Sequence, residues 1–190
     1  MEIKEHLLKG VYEIILKPYE DERGFFMRVY DKKTFNDNEI FHNWVQENHS
    51  FTKAEGTVRG LHLQLPPYSE TKLVRCIKGK ILDVFLDLRK NSDTFGLWSS
   101  LELSPIENNC ILIPKGFAHG YCALENFSEV IYKVDNYYRP DFEVGIYCKD
   151  KDLKIDWRVS NIILSDKDSK NLKFNEFLMK YGSIDIGDEH

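Results

Sequence analysis

The chain has 190 residues, 42% of them hydrophobic and 13% aromatic, with a formal net charge of -5. That is enough apolar material for the core of one domain, and it excludes disorder as the general state of the chain. The acidic balance argues against a nucleic-acid surface while leaving room for a local cationic pocket.

The N-terminal stretch MEIKEHLLKGVYEI lacks the apolar h-region of a signal peptide, and no apolar run approaches membrane length. Strand patterns then recur from Gly10 to Trp157: GVYEIILKP, GFFMRVY, WVQENHSF, TVRGLHLQL, KLVRCIKG, KILDVFLDLR, GLWSSLELS, NCILIPKG, HGYCAL, EVIYKVDNYY and VGIYC. They are rich in Val, Ile, Phe and Tyr and closely punctuated by turn residues. YDKKTFNDNEIFHNW predicts a short helix, and KGK around Gly79 predicts a hairpin turn. Many short strands without intervening amphipathic helices predict an all-β fold, an antiparallel sandwich or closed barrel. After Trp157 the pattern changes. Ser165 is a candidate N-cap, and Leu172, Phe174, Phe177, Leu178 and Tyr181 predict one or two C-terminal helices. The expectation is one domain over 1–190, with a helical extension from about 165 to 190. Cys76, Cys110, Cys122 and Cys148 are widely spaced with no C-x-x-C pair, which predicts reduced thiols in a cytoplasmic protein.

The chemistry concentrates in RGLHLQLPPYSETKLVRC. On a strand, alternation puts Gly60, His62 and Gln64 on one face and Leu61 and Leu63 on the other, an apolar back with a polar front that suits a cavity wall. Arg59 has the wrong parity for that wall unless Gly60 permits a bulge. Alternation also groups Lys72 with Val74 and Cys76. Any one of these polar residues alone reads as part of a solvated sheet face; their clustering is what suggests a site. Farther on, ILIPKGFAHGY places His119 just after a Pro-Gly turn, as in the second half of a metal-cupin pattern. The first half is wanting: Gln64 stands where a second histidine belongs, Glu70 is displaced, and Lys72 would repel a cation, so no metal is expected.

EVIYKVDNYYRP supplies Tyr132, a phenol that could face His62 across a cavity as proton donor opposite proton acceptor, with Tyr137 and Tyr138 near the strand end. Their alternative role is aromatic packing. Arg23 beside Phe25 and Phe26 reads either as surface or as a nucleotide grip, a charge for phosphate and a ring face for a base.

Taken together, DERGFF, VQENHS, VRGLHLQ, PPYSETKLVRC, GKILDVFLDLRKNSDTFG, IPKGFAHGY, VIYKVDNYYRP, IDW and ILSDKD resemble the dTDP-4-dehydrorhamnose 3,5-epimerase family, over about Lys9 to Asp168. The resemblance implies a cupin-type antiparallel barrel or jelly roll with short helices, mainly C-terminal. It also implies a cofactor-independent isomerase of a nucleoside-diphosphate 4-keto-6-deoxysugar, serving dTDP-rhamnose and cell-surface polysaccharide biosynthesis. It assigns His62 as the base, Asp168 as the acid that orients it, Tyr132 as the proton donor and Lys72 as the enolate stabiliser. Arg59 and His119 would hold diphosphate or sugar, with Gln46, Asn48 and Tyr138 as further substrate contacts. Arg23 and Phe26 would reach the neighbouring site of a homodimer. One departure is Arg28, where the family often has an acid, and it bears on which base is bound. A single-carbon epimerase, a ketoisomerase on a GDP- or CDP-linked sugar, and a non-catalytic sugar-nucleotide-binding cupin remain as alternatives.

Overall fold

The computed structural model describes residues 1–187, so the last three residues of the extension expected over 165–190 lie outside the described residues. Two antiparallel sheets face each other. The first contains six strands in the order β1 (Glu2–Glu5), β2 (Tyr12–Ile15), β10 (Asn109–Ile113), β7 (Lys72–Lys78), β12 (Ser128–Val134) and β5 (Gln46–Thr52). The second contains five: β13 (Glu143–Gly145), β6 (Val58–Gln64), β11 (Phe117–Ala123), β8 (Ile81–Asp87) and β9 (Trp98–Leu103). A separate small hairpin joins β3 (Tyr19–Asp21) to β4 (Gly24–Phe26). The all-β sandwich expected from the strand pattern is what forms.

Between the sheets Val74, Cys76, Phe85, Ile111, Phe117 and Val130 make the inner core. The second sheet is also apolar on its other face. Leu61, Leu63, Leu82, Val84 and Leu86 pack there against Trp157 and against Phe177 of the C-terminal helix α2 (Phe174–Tyr181). This explains why β8 is buried along its whole length and reads as a nearly continuous apolar run. A third cluster, with Ile14, Leu73 and Leu112, covers the outside of the first sheet under Phe35 of α1 (Lys32–Asp37). The side chain of Asp31 caps α1 by accepting from Thr34 N at 2.9 Å.

Two expectations need correction. The KGK turn is tight, with Gly79 at φ +72°, but it is not a hairpin. β7 pairs with β10 and β12, whereas β8 pairs with β11 and β9. The turn signal specifies a reversal of the chain and says nothing about pairing; here it carries the chain from one sheet to the other. Ser165 also caps something smaller than the helix expected of it. Its Oγ accepts from Asp168 N at 3.0 Å at a single 3₁₀ turn, Asp168–Lys170, while α2 starts later with the Glu176 carboxylate accepting from Lys173 N. Strands β1 and β3 were not expected. β1 has the polar sequence EIKE and forms by pairing with β2 at the sheet edge. The four cysteines are buried and unpaired. Among the described residues no helix is long and apolar enough to cross a membrane.

Candidate active site

A cavity of about 510 Å³ opens inside the sandwich, walled by both sheets and by the segment Ile163–Asp168. Strand β6 gives it Arg59 and His62, and Gly60 is the reason both face inward. His62 pairs with His119 and Arg59 with Tyr121, so three steps along β6 (59 to 62) match two along β11 (119 to 121). This is a β-bulge, as the parity of Arg59 required. Gly60 holds φ +121°, and a Cβ there would lie 2.6 Å from Gly120 Cα. Arg59 is steadied by donating Nε to Thr52 Oγ1 at 3.3 Å and Nη2 to Phe51 O at 3.0 Å.

His62 Nε2 lies 2.6 Å from Asp168 Oδ1 across 106 residues of sequence. Burial pushes the Asp168 carboxyl up, but hydrogen bonding and charge from His62, with help from Ser165 and the backbone at Gly60, outweigh it and hold the group below the usual aspartate range. A carboxylate in this position fixes the tautomer. Nε2 donates to the Asp168 carboxylate, and Nδ1 is the ring nitrogen outside that bond.

Lys72 and Tyr132 enter from the facing sheet. Lys72 Nζ is 3.2 Å from Glu70 Oε1. Burial, followed by the negative charge of Glu70, raises Tyr132 above its ordinary pKa, so the phenol stays a proton donor. His119 also lines the cavity and donates from Nε2 to Asp83, at 3.0 and 2.9 Å to the two carboxylate oxygens. Asp83 is fully buried. Burial pushes its carboxyl up, against the opposing pull of His119 and Lys72.

Asp83 and Lys167 were missed in the sequence. Asp83 was signalled by being an acid inside the apolar run KILDVFLDLR, which requires a buried partner. Lys167 also lines the cavity and pairs with Glu143; it is the neighbour of Asp168 in LSDKD. Gln64 has a structural task. Its Nε2 donates to Tyr68 O at 2.9 Å, Glu70 Oε2 at 3.1 Å and Tyr137 O at 3.3 Å, while its Oε1 accepts from Arg139 N at 2.6 Å. Among the described residues no three His, Cys, Asp or Glu side chains gather as a metal-ligand group.

Other expected contacts lie outside this wall. Gln46 and Asn48 are on β5, Asn48 opposite Tyr132, and Gln46 Oε1 accepts from Tyr138 N at 2.7 Å. Tyr138 donates its hydroxyl to Glu143 at 2.9 Å. Arg23 and Phe26 sit on the exposed β3–β4 hairpin, Arg23 paired with Asp21, and neither lines the cavity of its own chain. Arg28 leans onto Asp31 at 3.3 Å, its side chain 62% exposed.

A double antiparallel sheet whose cavity wall holds a half-buried histidine on a buried carboxylate, a phenol and cations is the site of a cupin-type enzyme. The sequence profile of dTDP-4-dehydrorhamnose 3,5-epimerase matches residues 5–176. The protein of that name from Shigella flexneri is 45% identical over 161 residues, 83% of this chain and 87% of its own. The epimerase structure from Bacillus anthracis, with TDP and PPi bound, superposes with a TM-score of 0.89 at 40% identity, covering 91% of this chain and 99% of that one. The one from Legionella pneumophila, in complex with dTDP-4-keto-L-rhamnose, gives 0.90 at 33% identity with 99% of each chain covered. The chain belongs to the dTDP-4-dehydrorhamnose 3,5-epimerase family and is an isomerase with the cupin fold.

Proposed function

We propose that this protein converts dTDP-4-dehydro-6-deoxyglucose to dTDP-4-dehydrorhamnose by inverting C3 and C5, each through an enolate and without a cofactor. The observation that carries the reading is the 2.6 Å His62–Asp168 pair in the wall of a cavity that also contains Tyr132 and Lys72. His62 Nδ1 removes the proton on the carbon beside the C4 ketone, and the electron pair moves onto the ketone oxygen. Asp168 stabilises the imidazolium that results, and the Lys72 ammonium stabilises the enolate oxygen. The enolate then recovers a proton at carbon from the Tyr132 hydroxyl on the opposite face, which inverts the centre. Arg59 and His119 hold the diphosphate and sugar. Arg23 and Phe26 of a second copy reach the nucleotide in a homodimer.

A second reading, inversion at C3 alone, is kept because the dTDP-4-dehydrorhamnose 3-epimerase of Streptomyces niveus is 30% identical over 169 residues. One experiment tests both: incubation of the substrate in D₂O, with deuterium read at each carbon. Wild type should label C3 and C5; label at C3 alone selects the second reading. His62→Ala should lose exchange at both carbons, by about 10²–10⁴-fold, the usual contribution of a general base. Tyr132→Phe should retain exchange while losing inversion. Full exchange by His62→Ala would remove it from the role of base.

A further inference from the structure

Among the carboxylates beside the site to which the mechanism proposed above gives no task is Glu70. Glu70 is about as buried as Lys72, with side chains 11% and 12% exposed, and its two oxygens are engaged by different partners. Oε1 faces Lys72 Nζ at 3.2 Å, and Oε2 accepts from Gln64 Nε2 at 3.1 Å. Gln64 is itself immobilised by its bonds to Tyr68 O, Tyr137 O and Arg139 N. The cavity wall includes Lys72 and not Glu70.

We infer that Glu70 is a positioning residue for the reaction: anchored by Gln64, it holds the Lys72 ammonium at the place where negative charge develops on the substrate. This rests on the role given to Lys72 above. A lysine is a point charge on a flexible four-carbon stem, and left alone it loses rotamer freedom each time it is fixed. A partner that fixes it beforehand removes that cost from the chemical step. A carboxylate beside a developing enolate would by itself oppose the reaction. Its retention makes sense because it is already paired, so that Lys72 and Glu70 form an oriented dipole with the positive end toward the cavity.

Glu70 touches the donor side as well. After burial it is the first charged cause of the rise in Tyr132. The other titratable and charged groups facing Tyr132 are Tyr121 and Glu143, which raise it further, and Arg59, which lowers it. Removing the charge of Glu70 therefore lowers Tyr132, and the alkaline limb of activity moves to lower pH.

The test compares Glu70→Gln, Lys72→Met and the double variant, following deuterium exchange into dTDP-4-dehydro-6-deoxyglucose across pH. Glu70→Gln should lower kcat by about tenfold, less than the 10²–10³-fold of losing an oxyanion-stabilising donor outright. KM should be nearly unchanged, and the alkaline limb should shift down. In the Lys72→Met background Glu70→Gln should cost little more, because a residue acting through Lys72 has nothing left to position. Glu70→Asp, which keeps the charge on a shorter stem, should recover the alkaline limb and part of kcat. Thermal melting reports on folding separately. Unchanged kcat and limb in Glu70→Gln with an impaired Lys72→Met would overturn the Glu70 assignment alone, as would a fully additive double variant. A fully active Lys72→Met would overturn the role of Lys72, and the assignment of Glu70 with it.

Discussion

At the scale of single residues, His62 and Asp168 belong to one unit, and their behaviour with pH should show it. The folded state holds Asp168 below the ordinary aspartate value of 3.8. A depressed carboxyl contributes stability that is fully present above that value and is lost as pH falls through the lower folded one. Acid unfolding of the wild type should therefore be steeper below pH 3.8 than that of Asp168→Asn, which has no carboxylate to protonate; equal pH slopes in urea titrations would contradict this. The same variant should lose activity steeply, by up to about 10⁴-fold, the scale seen when the carboxylate beside a catalytic histidine base becomes an amide. A neutral amide can still position the ring but cannot stabilise imidazolium. On the alkaline side, Tyr132 is raised above its ordinary 10.0, so it keeps its proton through the neutral range and donates throughout it. Arg28 sits differently. Its guanidinium lies beside Asp31 at the cap of α1, in an exposed pair within its own chain.

At the scale of elements, the bulge in β6 decides whether Arg59 and His62 share a cavity at all. Gly60→Ala would meet two obstacles, a φ of +121° and a Cβ only 2.6 Å from Gly120 Cα and 2.7 Å from His119 O. Backbone strain of about 1–3 kcal/mol and overpacking of similar size, about 1–3 kcal/mol, act together. Urea unfolding should show a loss of roughly 2–6 kcal/mol, and whatever protein remains folded should exchange deuterium poorly; a variant as stable and active as wild type would mean the strand can pair without the bulge. This bulge was legible in the sequence because Arg59 had the wrong parity beside a glycine. Leu61 and Leu63 were legible as the opposite face for the same reason. Strand pairing was not. KGK looks the same whether it joins neighbours in one sheet or crosses between two, since the choice is made by apolar faces that meet only in three dimensions. The Asp83–His119 pair was hidden likewise, its members 36 residues apart and brought together by the β8–β11 register. Asp168 lies in a segment without strand or long helix, and only the family resemblance brought it to His62.

At the scale of the whole molecule, Tyr19, Phe25 and Phe26 stand exposed together on the β3–β4 hairpin. A second copy seated there would cover those rings and bring Arg23 and Phe26 toward its nucleotide. Mixing inactive Arg23→Ala with inactive His62→Ala subunits should then restore part of the activity, since a mixed dimer contains one intact composite site. A monomer in light scattering, or no rescue despite demonstrated subunit exchange, would count against it.

The crossing made at Gly79 has a consequence for how the chain is assembled. Among the described strands, β6 pairs with β11 and β13, and β7 with β10 and β12. The two strands that carry Arg59, His62 and Lys72 thus emerge from the ribosome with no neighbour to bond, and wait for distant later sequence: β6 ends at Gln64 and its partner β11 begins at Phe117, while β7 ends at Lys78 and its partner β10 begins at Asn109. Contacts so distant along the chain make for slow folding, on the order of milliseconds to seconds. During that interval two apolar strands with open edges are free to pair with the wrong molecule. Yield in a crowded cell is therefore governed by how well these two segments are shielded during synthesis, and sluggish translation before β10 would harm it more than a pause after β13.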